Sequence, residues 1–84
     1  MRYEVRILRA AEKEMDNIPP HIHTRISGKI LSLGDDPRPR AAKKLSGLDE
    51  YRIRLGDYRV LYTIDDEEKS VTIFAVGHRR EIYR

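Results

Sequence analysis

Arg52 and Arg54 stand two residues apart in the run Tyr51-Arg52-Ile53-Arg54-Leu55, and Arg59 follows just beyond Gly56-Asp57. A guanidinium is planar, permanently charged and forked, and so matches the oxygens of a phosphate. Three of them on a small area repel one another unless an anion compensates. The residues alone leave two readings open. Either Asp49, Glu50, Asp57 or the acidic turn at 65–70 supplies ordinary surface ion pairs, or the arginines form a phosphate site. A second concentration lies in Gly77-His78-Arg79-Arg80-Glu81-Ile82-Tyr83-Arg84, which packs an imidazole, a phenol and three guanidiniums into eight residues. A lone basic tail is most often solvated, and His78 or Tyr83 alone is more often a packing residue than a catalyst. Delivered beside Arg52, Arg54 and Arg59, however, the same groups suit binding a phosphodiester and stacking a base.

The elements that must position these side chains are legible from periodicity. Residues 3–8 alternate apolar and polar with period two, which predicts a strand with one buried face. Leu8, Ala11, Met15 and Ile18 recur at spacings of three and four and predict a first helix over 9–17. Pro19-Pro20 ends that helix and is tolerated in the first turn of the next. Ile22, Ile26, Ile30 and Leu33 then mark a second helix, with Gly34 as its C-terminal stop. Residues 35–48 read as a loop with one helical turn over 41–44. Strands follow at 51–55 and 58–64, joined by the Gly56-Asp57 turn, and at 71–76, which is apolar enough for a central strand. The expected architecture is α+β: an N-terminal strand, a two-helix hairpin and a three-strand antiparallel meander (β-α-α-β-β-β). The helices pack on one sheet face, and residues 1–84 form a single domain. Period two sends Arg52 and Arg54 to the open face; Arg59 lies on a strand of mixed pattern and is placed beside Arg54.

Composition narrows the function classes. At 84 residues, 39 % hydrophobic and 37 % charged, the chain holds a thin core, so chemistry belongs on a surface or groove. The longest uncharged apolar run, residues 71–77, is far below the ~20 residues of a membrane span. The opening residues alternate charged and apolar where a signal peptide is continuously apolar, which points to the cytoplasm. The chain has no cysteine, so disulfides, Cys-type zinc sites and thiol nucleophiles are out. Residues 37–64 hold seven Lys/Arg against three Asp/Glu, a local surplus to which a polyanion responds more than to the net charge of +3. His21 and His23 read as surface or capping residues, and no metal or cofactor is expected. Neither a Gly-rich phosphate loop nor a Gly-x-Ser-x-Gly elbow occurs.

The run Leu45-Ser46-Gly47-Leu48, the segment Tyr51-Arg52-Ile53-Arg54-Leu55-Gly56-Asp57-Tyr58-Arg59-Val60-Leu61-Tyr62 and the ending Val76-Gly77-His78-Arg79-x-x-Ile82-Tyr83 resemble the RelE branch of the RelE/ParE toxin superfamily. The resemblance covers essentially the whole chain. It implies a toxin of a prokaryotic toxin–antitoxin pair, partnered by a cognate antitoxin, that cleaves mRNA in the ribosomal A site without a metal. The nucleophile it implies is the RNA's own 2′-hydroxyl. By position, Arg52 and Arg54 match the family's paired basic residues and Arg59 its phosphate-binding arginine. Arg79 matches its arginine near the leaving oxygen, and Tyr83 its C-terminal tyrosine. Lys43, Lys44 and Arg80 extend the RNA-binding surface. Where some members carry lysines in the strand pair this chain has arginines, which stay protonated across the physiological pH range and are disqualified as general bases. His78, with a reference pKa near 6.5, becomes the candidate for proton transfer.

Two other functions fit the same fold. A ParE-like relative poisons DNA gyrase through protein contacts and lacks the catalytic set, whereas a non-catalytic module only docks its basic face on RNA or the ribosome. Mapping cuts in mRNA on programmed ribosomes separates all three.

Overall fold

The computed structural model describes residues 2–45 and 49–78. Their order is β1 (Glu4–Ile7), α1 (Arg9–Asp16), α2 (Pro20–Ser32), β2 (Lys43–Lys44), β3 (Glu50–Leu55), β4 (Tyr58–Asp65) and β5 (Ser70–His78). The strands form one five-stranded mixed sheet in the order β1-β5-β4-β3-β2. The meander β3-β4-β5 is antiparallel as expected, but it is the middle of a larger sheet. β1 enters parallel to β5, pairing Glu4 with Ser70 and Ile7 with Ile73, so the predicted central strand is indeed flanked on both sides. Residues 41–44 depart from the expected helical turn. Lys43 and Lys44 instead pair antiparallel with Arg52 and Tyr51 as a two-residue edge strand, where lysines discourage further strand addition.

The helices form where the apolar spacing requires. α1 buries Ala11 and Met15, and α2 opens with Pro20 in its first turn and buries Ile26 and Ile30, because a fixed φ suits the position where no intrahelical donor is needed. α2 stops at the expected place, with Leu33 as its C-cap and Gly34 next, although among the described residues Gly56 and not Gly34 is the glycine at positive φ. α2 ends instead in tight bonds from Leu33 N–H to Ile30 O and from Gly34 N–H to Leu31 O. The Gly34 carbonyl then accepts the Arg2 and Tyr3 N–H groups at 3.1 and 2.9 Å, which fastens the end of α2 to the entry of β1.

Ala11, Met15, Ile18, Ile26, Ile30 and Leu33 from the helical layer meet Tyr51, Ile53, Val60, Tyr62, Ile64, Val71, Ile73 and Val76 from one sheet face. The helices therefore cover that face, and among the described residues no helix lies on the other, the open face. A polar clasp holds the long connection after α2 against the sheet. Tyr62 donates to the Pro37 carbonyl at 2.8 Å, stacks on Tyr51 with ring centres 5.7 Å apart, and is pushed above the usual phenol range by burial. Arg38 donates through Nε to the Tyr51 hydroxyl and through both Nη atoms to Asp66, while Tyr3 donates to the same carboxylate at 2.6 Å. These bonds hold the Asp66 carboxyl down at about 2.

Candidate nucleic-acid interface

Three strands place the arginines, and the hairpin between β3 and β4 sets their register. Gly56 takes φ +61°, a conformation costly for a residue with a Cβ, at the first position of a two-residue turn. The pairing runs outward from that turn as Leu55 with Tyr58, Arg54 with Arg59, Ile53 with Val60, and Arg52 with Leu61. Because the pair flanking a two-residue turn is hydrogen-bonded, Arg54 and Arg59 form the next, non-hydrogen-bonded pair. Their Cβ atoms are there about 4.5–5.5 Å apart. Directly opposed residues share a face, and Ile53 and Val60 belong to the helix-side core. Arg52, Arg54 and Arg59 therefore share the open face, with Arg54 exposed and Arg52 and Arg59 half-buried.

Two cross-strand rows result. One runs Lys43, Arg52, Leu61, Ala75 and the next Arg54, Arg59, Gly77. Lys43 thus adjoins the arginines, as a basic extension of the face requires. Lys44 falls on the opposite parity beside Tyr51 and pairs with Asp49 at 3.8 Å. For Arg52 and Arg54 the ordinary ion-pair reading meets a difficulty here. Asp49 is engaged by Lys44 and Asp66 by Arg38, Glu68 lies 3.9 Å from Arg6, and among the described residues no carboxylate forms an ion pair with Arg52 or Arg54. No group of three or more His, Asp or Glu side chains among the described residues is arranged to hold a metal ion.

His78 is not brought to the arginines. It pairs with Tyr58 across β4 and β5, and the two rings meet edge to face at 5.6 Å. Tyr58 packs against the helix-side core, which puts His78 on the covered side of the sheet. There it lines a groove of about 310 Å³ with Glu14, Asn17, Ile18 and Tyr58. Arg79, Arg80 and Tyr83 lie outside the described residues. His21 is exposed, and His23 is half-buried with its Nδ1 3.4 Å from the Ser27 hydroxyl.

Sequence reading missed the residue that keeps β5 aimed along this face. Past Ile73, β1 no longer pairs with β5, and the Val76 N–H donates instead to the Glu14 carboxylate at 2.9 Å. The spacing of α1 carried no signal for it, because Glu14 lies beside the apolar stripe rather than within it. The sole hint was a carboxylate flanked by Ala11 and Met15, one turn from the core.

Residues 5–83 match the family described as ParE toxin of type II toxin–antitoxin system, parDE. The toxin RelG of Mycobacterium tuberculosis is 35 % identical over 92 residues, which span 100 % of this chain and 99 % of that protein. Among solved structures, the archaeal RelE–RelB complex from Pyrococcus horikoshii matches with a TM-score of 0.82 and 32 % identity, covering 94 % of this chain and 97 % of the other. The isolated Escherichia coli RelE toxin matches with a TM-score of 0.80 and 27 % identity over 90 % of this chain and 83 % of the other. With the family matched over residues 5–83 and the fold shared with solved RelE structures over nearly its whole length, the chain belongs to the RelE/ParE superfamily of type II toxin–antitoxin toxins.

Proposed function

We propose that this chain is the RelE-type toxin of a cytoplasmic toxin–antitoxin pair, acting as one domain, and a ribosome-dependent endoribonuclease that cuts mRNA in the A site. The observation that carries the reading is the grouping of Arg52, Arg54 and Arg59 in two adjacent rows on the sheet face that no described helix covers, with Arg52 and Arg54 unmatched by a carboxylate among the described residues. Arg52 and Arg54 are positioned to take an anion, and the anion that meets such a face as a repeating array is a nucleic-acid backbone.

The RNA's 2′-oxygen attacks the adjacent phosphorus and the P–O5′ bond breaks. The 2′-hydroxyl gives up its proton, the departing 5′-oxygen takes one, and a 2′,3′-cyclic phosphate and a 5′-hydroxyl remain. Charge grows on the non-bridging oxygens during the attack, and guanidiniums fixed in advance by a sheet stabilise it without reorganising. Arg52, Arg54 and Arg59 bind the reacting phosphate, Arg79 acts at the leaving oxygen, and Tyr83 stacks on a base or orients the hydroxyl. Lys43 and Arg80 contact neighbouring backbone, whereas Lys44, on the other parity and paired with Asp49, does not share that face. The nucleophile belongs to the substrate, so positioning and charge suffice and no metal takes part. Because the relatives from P. horikoshii and M. tuberculosis were solved as complexes with RelB antitoxins, a cognate antitoxin is assigned to this chain as its restraint.

Programmed ribosomes incubated with the protein, followed by mapping of mRNA 5′ ends, test the reading. Cuts confined to the A-site codon, unchanged by EDTA and absent from free mRNA, are expected. Inhibition of gyrase with intact mRNA would return the chain to the ParE type, and ribosome binding without cuts would make it a docking module.

A further inference from the structure

Phe74 is the one phenylalanine of the chain, and it occupies the extra position of a β-bulge. Ile73 pairs with Tyr62 and Ala75 with Leu61, so no β4 residue opposes Phe74. Ile73 belongs to the helix-side core; alternation turns Phe74 to the open face, and the bulge keeps Ala75 on that face as well. Burial agrees with this parity. Phe74 is half-buried, Leu61 and Ala75 are 3 % and 7 % exposed, and none of the three contributes to the helix-side core. The open face therefore carries a small apolar floor of its own.

Its border is basic. Leu61 stands opposite Arg52, and Gly77, opposite Arg59, has no side chain to screen that guanidinium from β5. From β5 to β3 is two strand spacings, about 10 Å, so a ring on one strand and guanidiniums on the next two suit the base and the phosphates of a single nucleotide step. Stacking on an aromatic ring beside phosphate-binding cations is how single-stranded nucleic acid is held.

We infer that Phe74 is a stacking platform for the nucleobase adjoining the phosphate held by Arg52, Arg54 and Arg59, and so helps determine which base stands at the cut. This rests on the nuclease reading above. The bulge gives the ring its place, since without the extra residue position 74 would oppose Leu61 in the ladder and the parity of β5 beyond it would reverse.

The test uses the full chain on programmed ribosomes in two arms. In the first, single-turnover cleavage is followed over a range of toxin concentrations for the parent, Phe74→Leu and Phe74→Tyr, with thermal unfolding of each. Loss of one stacked base is expected to lower kcat/KM about tenfold or more in the leucine variant, while the tyrosine variant stays within about twofold of the parent and all three fold. A leucine variant cutting at the parent rate, or a folded tyrosine variant as impaired as leucine, overturns the platform. In the second arm the mRNA carries a 2′-O-methyl group at the cut site and 5-iodouridine beside it, so that binding is read without cleavage. Photocrosslinks to residue 74 support the platform; crosslinks confined to other residues, or none, overturn it. Failure of the parent to cut in the first arm counts against the nuclease reading alone, because the second arm does not depend on cutting.

Discussion

Arg54 and Arg59 stand directly opposite one another across β3 and β4, in the first pair beyond the one that closes the Gly56-Asp57 turn. Two like charges in that position oppose folding by a few tenths of a kcal/mol to about 1 kcal/mol, and an anion between them removes the cost. Arg54→Gln is therefore expected to leave stability unchanged or slightly raised, within about 0.5 kcal/mol, with the gain shrinking as salt screens the pair. Thermal unfolding at low and high salt measures it; a clearly destabilised Arg54→Gln shows the guanidinium to be a structural partner.

The same two residues are expected to matter far more for cleavage. Arg59→Ala should lower single-turnover cleavage on ribosomes by about 10² to 10³, the scale of losing one donor to a developing oxyanion. Lysine at 59 should restore part of the rate, since it keeps the charge and loses the fork. Cleavage at the parent rate by folded Arg59→Ala removes this residue from the site.

Acid stability is expected to depend on Asp66. Arg38 and Tyr3 hold its folded carboxyl at about 2, below the ordinary value near 3.9. A lowered folded value means that the contribution is present above about pH 4 and is lost as pH falls toward 2. Asp66→Asn should flatten the acid limb of a stability profile between those limits while leaving the shape near neutrality unchanged. Superimposable acid limbs in the two proteins would count against the clasp.

Two glycines are expected to answer alanine with opposite signs. Gly28 lies inside α2 with open space for 4 Å around the point where a Cβ would stand, so alanine there should stabilise by roughly 0.5–1 kcal/mol. Gly56 also has open space, but its φ of +61° makes alanine strained, and a loss of about 1 kcal/mol or more is expected. In a domain of this size that separates the two variants by several degrees in Tm.

Glu14 is expected to be replaceable by glutamine and not by alanine. Its carboxylate receives the Val76 N–H, and a hydrogen bond to a charged acceptor is worth about 1.5–3 kcal/mol. Glutamine keeps an acceptor and alanine none, so urea denaturation should order the three proteins as parent, Glu14→Gln, Glu14→Ala. Equal midpoints would show the donor satisfied by water.

What could be read in the sequence followed the strength of local period. Tyr51, Ile53 and Leu55 alternate cleanly with Arg52 and Arg54, and their faces are the expected ones. The β4 pattern is ambiguous for a physical reason: Leu61 is buried on the open face, so apolar residues occur at both parities and only the register set at Gly56-Asp57 places Arg59. The bulge at Phe74 hides within an apolar run for the same reason. Nothing local announces that β1 joins β5, whose partners Glu4 and Ser70 are brought together across both helices. β2 has two residues, too few for any period. Arg38 and Asp66 are 28 residues apart, and their pairing exists only once the sheet has assembled. His78 adjoins Arg79 in sequence, which groups it with the arginines on paper, whereas its place in the sheet is opposite Tyr58 on the covered face.

Because β5 lies between β1 and β4, the first strand has no neighbour until the last described strand has been made. A chain emerging during translation therefore exposes β1 and both helices with their apolar sides unsatisfied, and the structure closes in one late, long-range step. The arginine face depends on that step, since Arg59 is held between β3 and β5. A nascent copy with β5 still in the exit channel lacks the strand that pairs with both β1 and β4, so neither Ile7 nor Arg59 yet has its β5 neighbour.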